Sequence, residues 1–311
     1  MRDKRVAITG GAGFIGSNLV EELATSNDVI IIDDLSTGRK KNIADLIKKD
    51  NVRFIQGSIL DLHLLEQTFN GVDFVFHQAA IASVLRSVED PLSTNEVNIT
   101  GTLNVLLAAR DNNVKKVVYA SSSSVYGDTP TLPKVEDMIS HPQSPYALTK
   151  LVGEYYCRIF HQIYDLPTIC LRYFNVYGPR QDADSPYAAV IPIFIARVSQ
   201  ERPPIIYGDG EQTRDFTFIK DVIKANIIGA ESDVSGVFNI GTGENSTLND
   251  LAKTITHIIG KDLYPEYRPP RPGDIKHSLA DISKARAIGY EPQYSLDNGL
   301  RETIRRLTSA S

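Results

Sequence analysis

The stretch "VAITGGAGFIG", Val6–Gly16, constrains the fold more than any other part of the chain. A β-branched run stops at Gly10, and an apolar pattern at helical spacing begins at Phe14. Gly10, Gly13 and Gly16 occupy the turn, spaced G-x-x-G-x-x-G rather than G-x-G-x-x-G. Each has its own task in a strand–turn–helix unit. Gly10 permits the tight turn. Gly13 lets backbone approach a pyrophosphate at the helix N-terminus, where free N–H groups and the helix dipole favour an anion. Gly16 lets the helix lie close to the strand. A plain βα turn also carries glycines, but Asp33 adds a second sign. It ends the next buried run, "DVIIID", seventeen residues after Gly16. A carboxylate there accepts hydrogen bonds from both adenosine ribose hydroxyls and repels a 2′-phosphate, so the pattern predicts NAD rather than NADP.

Further buried runs follow at 51–57, 72–80, 115–122 and 167–175, separated by helical patterns that include 92–112 and 146–164. Strands alternating with helices in this way predict an α/β fold. It is a Rossmann-type, doubly wound parallel sheet with crossover helices on both faces. At 311 residues the chain exceeds what one core comfortably fills. After about Gly178 prolines and glycines punctuate the sequence, as in "PPIIYGDGEQTRD" (203–215) and "YRPPRPGD" (267–274). These predict a smaller mixed α/β lobe. The expected division is an NAD-binding domain over 1–178 plus about 216–240, interleaved with a substrate lobe over about 179–215 and 241–311.

A net charge of −5 argues against nucleic acid or an anionic membrane as the main partner. No apolar run is long enough to span a bilayer, and the N-terminus enters a strand without a signal-peptide pattern. The expectation is a cytoplasmic protein with no membrane partner. Cys157 and Cys170 are expected as buried thiols, and the scattered histidines predict no metal site.

"SPYALTKLVGEYY", Ser144–Tyr156, places Tyr146 four residues before Lys150. On a helix the two share a face, and alone such a pair is an ordinary surface contact. Here the preceding strand ends in "YASSSSVYG" (119–127), a run of hydroxyls at the carboxyl end of a parallel strand, where ligands bind. Free tyrosine titrates near ~10, and reaching ~7 requires roughly 4 kcal/mol of differential stabilisation. The Lys150 ammonium and a positively charged nicotinamide both favour the phenolate, so both are expected to lower the tyrosine pKa. A serine hydroxyl from the strand end can then share a substrate proton.

Together, the glycine turn, Asp33, "HQAA" (77–80), the serine run, Tyr146-x-x-x-Lys150 and "RYFNVYGPR" (172–180) resemble the extended short-chain dehydrogenases. Within them the chain resembles the nucleotide-sugar epimerase/dehydratase group over nearly its whole length. "RPGDIKHSLAD" (271–281) is similar to the UDP-hexose 4-epimerases. "QDADSPYAAVIP" (181–192) and "GDGEQTRDF" (208–216) look most like the UDP-N-acetylglucosamine 4-epimerase branch.

The resemblance implies roles. Tyr146 would be the base that takes the sugar 4-hydroxyl proton. Lys150 would hold the nicotinamide ribose, and Ser122, five residues before Gly127, would be the catalytic serine. NAD would meet Gly10, Gly13, Phe14, Ile15, Gly16, Asp33, Ser36, Gly38, Ser58, Ile59, Gln78, Ala79, Ala80, Asn98 and Tyr173, besides Tyr146 and Lys150. Ser58 stands where the family often has an aspartate facing adenine. The UDP-sugar would meet Ser83, Arg86, Ser122, Ser123, Ser124, Tyr146, Ala189, Val190, Tyr207 and Ser278. Asn175 would bind the diphosphate with Arg214 and Arg271 beside it, and Asp274 would bind the uridine ribose. Guanidinium forks suit a diphosphate because each pairs two oxygens.

The implied reaction interconverts UDP-GlcNAc and UDP-GalNAc, with UDP-Glc and UDP-Gal as a further pair, by reversible hydride transfer from sugar C4 to bound NAD. Related dehydratases and decarboxylases carry a carboxylate near the serine run, and this chain has Ser123 and Ser124 there. A small residue at Ser278, where related 4-epimerases place a bulky tyrosine, leaves room for a 2-acetamido group. Arg86 raises a rival, a UDP-glucuronate or UDP-N-acetylhexosaminuronate 4-epimerase. A second alternative is a dinucleotide-sensing regulator without catalysis, which would be expected to lose Tyr146 or Lys150. The resemblance also implies a homodimer through the 92–112 and 146–164 helices.

Overall fold

The computed structural model of the protein describes residues 1–182, 188–270 and 275–308. Seven strands form one sheet: β1 (Arg5–Thr9), β2 (Asp28–Asp33), β3 (Val52–Gln56), β4 (Phe74–His77), β5 (Lys116–Ser122), β6 (Thr168–Tyr173) and β7 (Gly236–Ile240). Their order is β7-β6-β5-β4-β1-β2-β3. Every neighbouring pair is parallel. Val6, Ala7, Ile8 and Ile31 expose nothing, as befits strands covered on both faces. The order reverses between β1 and β4, so their carboxyl ends open a crevice where ligands sit in sheets of this kind.

On one face α1 (Phe14–Leu23) and, later in the chain, Val222 and Ile223 of a helix over 219–231 join Val6, Ile8 and Val118 in one apolar cluster. On the other face lie α2 (Leu62–Thr68) and two longer helical segments, whose Val105, Leu106, Cys157 and Phe160 pack with Val117 and Tyr119. The helix expected over 92–112 is interrupted. After α3 (Val84–Glu89) come α4 (Pro91–Asn95), a wider π turn at Glu96–Thr100 and α5 (Gly101–Asp111). Asn98, in that turn, grips the backbone of Ile81 on both sides, donating to its carbonyl at 3.1 Å and accepting its N–H at 2.8 Å. Single π turns of this kind often mark functional sites.

The next helix, α6 (Pro145–Tyr164), is delimited by its sequence. Ser144 Oγ accepts the Ala147 N–H at 3.1 Å, Pro145 fits the first turn, and Asp165 leaves in the left-handed region. Beyond α7 (Val190–Ser199), α8 (Ile219–Glu231) packs against β5 and β6, and β7 pairs with β6. The chain therefore returns to the main sheet over these residues. The rest is built from short pairings, Ile205–Tyr207 with Glu266–Arg268 and Thr213–Arg214 with Ser246–Thr247. Buried Asp215 accepts N–H bonds from Thr242, Gly243 and Ala280, tying three loops together. The first apolar cluster continues from Ile8 to Phe216, Leu251 and Tyr290, so the two parts share a core. Among the described residues, no helix is long and apolar enough to cross a membrane.

Candidate active site

The turn after β1 shows why glycine is required. Gly10 has φ +70°, and a Cβ there would lie 2.6 Å from the Ala79 amide nitrogen. At Gly16 a Cβ would fall 2.1 Å from the Gly10 carbonyl oxygen, inside backbone that cannot yield. Asp33 lies at the end of β2 with its carboxylate accepting the Ala12 N–H at 2.9 Å and the Leu35 N–H at 2.8 Å. Burial pushes its pKa up, and those two N–H groups oppose the shift. Two lone-pair sites remain for ribose hydroxyls. A Cβ at Gly38 would come within 2.6 Å of Asp33 Oδ1, so Gly38 keeps the carboxylate uncrowded.

These elements bound a cleft of about 300 Å³ at the crevice between β1 and β4. Gly10, Gly13, Phe14, Ile15, Gly16, Asp33, Ser36, Ile59, Gln78, Ala79, Ala80, Tyr146, Lys150 and Tyr173 all line it. Three expected cofactor residues lie elsewhere. Gly38 stands behind Asp33, and Ser58 Oγ accepts the Leu60 N–H within its own turn at 3.3 Å. Asn98 is fully engaged by Ile81 and by Thr149 Oγ1 at 3.0 Å, so it braces the cleft wall from behind. Arg39, Asn42, Arg180 and Asp182 line the cleft without having been singled out. Arg39 pairs with Asp182, and Arg180 donates to Ser17 O at 3.0 Å. These partners are more than 140 residues apart, so no local pattern announces them.

Tyr146 and Lys150 share one face of α6 at the far end of this cleft. The Ser122 side chain lies close enough to the Tyr146 phenol to favour its ionised form. Lys150 is buried, donates to Ala120 O at 2.7 Å and lies 5.0 Å from the Tyr119 ring centroid. Burial lowers its pKa to about 8. For the tyrosine itself the dominant influence is burial. Burial pushes the Tyr146 phenol up, the nearby Ser122 side chain opposes that shift, and Lys150 directs its ammonium to a carbonyl. The serine run also divides differently. Ser121 lines the cleft, whereas Ser122 takes the Ser124 N–H at 3.2 Å and the Ser124 hydroxyl at 2.9 Å. Ser123 opens a short 3₁₀ turn that ends at Gly127. Ser83 caps α3 by accepting the Arg86 N–H at 3.1 Å, and neither residue lines the cleft.

Beneath Lys150, His77 is 1% exposed and bonded on both ring nitrogens, to Thr9 Oγ1 at 2.7 Å and Thr102 Oγ1 at 2.9 Å. Burial, with Lys150 nearby, drags its pKa down to about 3. Below the unfolded value of ~6.5 the unfolded chain binds a proton that folded His77 refuses. Stability should therefore fall as pH drops from ~6.5, by roughly 4 kcal/mol at pH ~3 from this group alone. Denaturant titrations between pH 7 and 4 should show His77→Gln starting less stable but losing less.

A second cavity, of about 410 Å³, is lined by Asn175, Ala189, Val190, Tyr207 and Arg214, with Arg197 and Phe216. Arg214 Nη1 donates to Thr213 O at 2.8 Å. Ser278, half-buried, donates its N–H to Thr213 O at 3.1 Å, next to Arg214 but outside the lining. Gln181 and Gln212 carry no sequence signal of their own. Each donates its Nε2 to a carbonyl (Val176 and Tyr207), which fixes the amide, and each carboxamide oxygen is buried without a partner. Such acceptors suit a ligand that brings N–H or O–H donors. Arg271 and Asp274 lie outside the described residues. Among the described residues, no group of three or more His, Cys, Asp and Glu is placed to hold a metal.

Comparison with known proteins agrees with this geometry. The family model for the NAD dependent epimerase/dehydratase family matches residues 6–241. A UDP-glucose 4-epimerase of Mycolicibacterium smegmatis is 40% identical over 306 residues, covering 96% of this chain and 97% of its own. The structure of UDP-N-acetylglucosamine 4-epimerase from Methanobrevibacter ruminantium, solved with UDP-N-acetylmuramic acid, matches at 46% identity and a TM-score of 0.97, covering all of both chains. The Thermus thermophilus UDP-glucose 4-epimerase in complex with NAD matches at 37% identity and a TM-score of 0.89, over 99% of this chain and 100% of its own. The protein therefore belongs to the NAD-dependent epimerase/dehydratase family, with NAD as its cofactor.

Proposed function

We propose that the protein is a UDP-hexose 4-epimerase that interconverts UDP-GlcNAc and UDP-GalNAc, with UDP-Glc and UDP-Gal as a further pair. One observation carries this reading. The Tyr146–Lys150 pair, with Ser122 beside the phenol, lies at the end of a dinucleotide cleft, and the serine run beside it holds no carboxylate. That constellation suits alcohol oxidation and its reversal, but not elimination or decarboxylation.

Tyr146 would take the proton of the sugar 4-hydroxyl and later return it, with the Ser122 hydroxyl sharing the bond. NAD, when bound, supplies the acceptor and donor of hydride. Lys150, buried and with a pKa near 8, stays mostly cationic at neutral pH and can hold the nicotinamide ribose. Its charge, with that of the nicotinamide, would offset the burial that raises the phenol. Arg214 and Asn175 would anchor the diphosphate in the second cavity, while Gln181 and Gln212 accept donors from the nucleoside. Anchoring by UDP leaves the hexose free to turn over between oxidation and reduction. The small side chain of Ser278, beside Arg214, would leave room for a 2-acetamido group.

The test is turnover of UDP-GlcNAc with no NAD added, followed by chromatographic separation of UDP-GalNAc. UDP-Glc and UDP-glucuronate are run in parallel. UDP-GalNAc as a product supports the reading. Turnover of UDP-glucuronate alone would favour the hexuronate alternative that half-buried Arg86 keeps open.

We also infer a homodimer. Leu148, Tyr155, Ile159 and Ile163 form an exposed apolar stripe along α6, beside exposed Leu85, Val88 and Leu92 of α3 and α4. Leu92 is 83% exposed, a costly arrangement for a monomer surface. Light scattering should give about twice the chain mass of 34.4 kDa. Ile159→Glu should reduce this to one chain.

A further inference from the structure

Glu154 is a buried carboxylate with no task in the chemistry above. It is 5% exposed and does not line the cofactor cleft. Arg172 holds it from two sides, Nε to Oε1 at 2.8 Å and Nη2 to Oε2 at 2.7 Å. Ser121 donates its hydroxyl to Oε1. Arg172 is further fixed by Glu136 O at 3.3 Å and by the Tyr126 ring, 4.7 Å away.

The contacts form a ladder. Three consecutive residues at the end of β5 meet three consecutive turns of α6. Ser122 lies beside the Tyr146 phenol, the Ala120 carbonyl takes Lys150, and Ser121 bonds Glu154. Positions four apart on a helix share a face, so all three rungs act on one side of α6. The third rung is the only charge-assisted one of the three to be fastened to another strand, through Arg172 of β6, directly before cleft-lining Tyr173. The helix is pressed close here. A Cβ at Gly153 would fall 2.2 Å from the Tyr119 hydroxyl. A helix at this distance cannot slide or tilt without moving Tyr146 relative to Ser122.

We propose that Glu154 is a positioning residue. The Ser121–Glu154–Arg172 rung sets the register of α6 on β5 and thereby holds the Tyr146 hydroxyl against Ser122. A purely structural role is the competing account. Buried ion pairs contribute little net stability because desolvation offsets their attraction, so a pair this well satisfied is better explained by the geometry it fixes. The proposal rests on the reading of Tyr146 as the base, and its test includes a readout that needs no substrate.

Two variants separate the accounts. Ser121→Ala removes the rung's hydroxyl and leaves the ion pair. Glu154→Met/Arg172→Met removes both charges, keeps net charge and volume, and avoids an unpaired buried ion. Each is measured for melting temperature, for kcat and KM with UDP-GlcNAc, and for titration of the Tyr146 ring carbon by ¹³C NMR. That signal is assigned by its loss in Tyr146→Phe. The titratable groups around Tyr146 are Lys150 on its own helix and Tyr119 on β5; Ser121→Ala removes no charge near them, whereas the double variant also removes the Glu154 charge that raises both, so its titration is read against that of Ser121→Ala. The expected result is a near wild-type melting temperature, kcat lower by about tenfold or more, and KM unchanged. The Tyr146 titration should move to higher pH, because the Ser122 side chain that favours the phenolate draws away. Wild-type kcat with an unmoved titration in both folded variants overturns the proposal. If the wild-type protein turns over no UDP-sugar, the epimerase reading fails, and the titration still decides the rung.

Discussion

Tyr146→Phe should leave a folded protein that keeps its NAD and loses turnover by about a thousandfold, within the range general acid–base catalysis supplies. The substitution removes one oxygen. Ser122, beside it, keeps the Ser124 N–H and hydroxyl. The ring stays where it lines the cleft, so cofactor contacts change little. The loss should appear in kcat with KM for the UDP-sugar nearly constant, as for a group acting in the transition state. Bound NAD, measured after denaturation, should match the wild type. A fall in NAD content instead would make Tyr146 a cofactor contact and not a base.

The glycine turn predicts a graded pair. Gly16→Ala places its Cβ 2.1 Å from Gly10 O and 2.8 Å from Gly11 Cα, so α1 must lift off β1. Forced overpacking of this kind costs about 1–3 kcal/mol, and the pyrophosphate cradle opens with it. NAD content should fall to near zero and the melting temperature should drop. Gly13→Ala differs. Its Cβ meets only Gly10 O, at 3.2 Å, which a small shift relieves. That variant should melt close to the wild type while binding NAD far more weakly, because the methyl stands where the pyrophosphate approaches. Calorimetric titration with NAD checks both. Equal NAD affinity in Gly13→Ala and wild type would refute the placement of the pyrophosphate at this turn.

The parts legible in the sequence are those whose partners are close in the chain or repeat with a fixed period. The glycine turn, Asp33, the strand alternation and the Tyr146–Lys150 spacing are of this kind. Asn98 falls outside the cleft because a π turn, invisible to helical periodicity, rotates it onto Ile81 and Thr149. The Arg39–Asp182 pair and the Glu154–Arg172 rung join distant segments whose meeting depends on the finished sheet. The direction of the Tyr146 shift does not follow from charge spacing alone. It is set by burial, which a sequence does not display, with Ser122 opposing it.

The measurement that tests the central claim most directly uses UDP-GlcNAc carrying deuterium at sugar C4. The protein is incubated with it in ordinary water without added NAD, and the product is followed by mass spectrometry and NMR. The account predicts UDP-GalNAc with the deuterium retained at C4, because hydride leaves and returns within one closed site. Product that has exchanged its deuterium for solvent hydrogen would contradict it, since epimerisation would then proceed through proton loss from carbon and not through the Tyr146 hydroxyl chemistry.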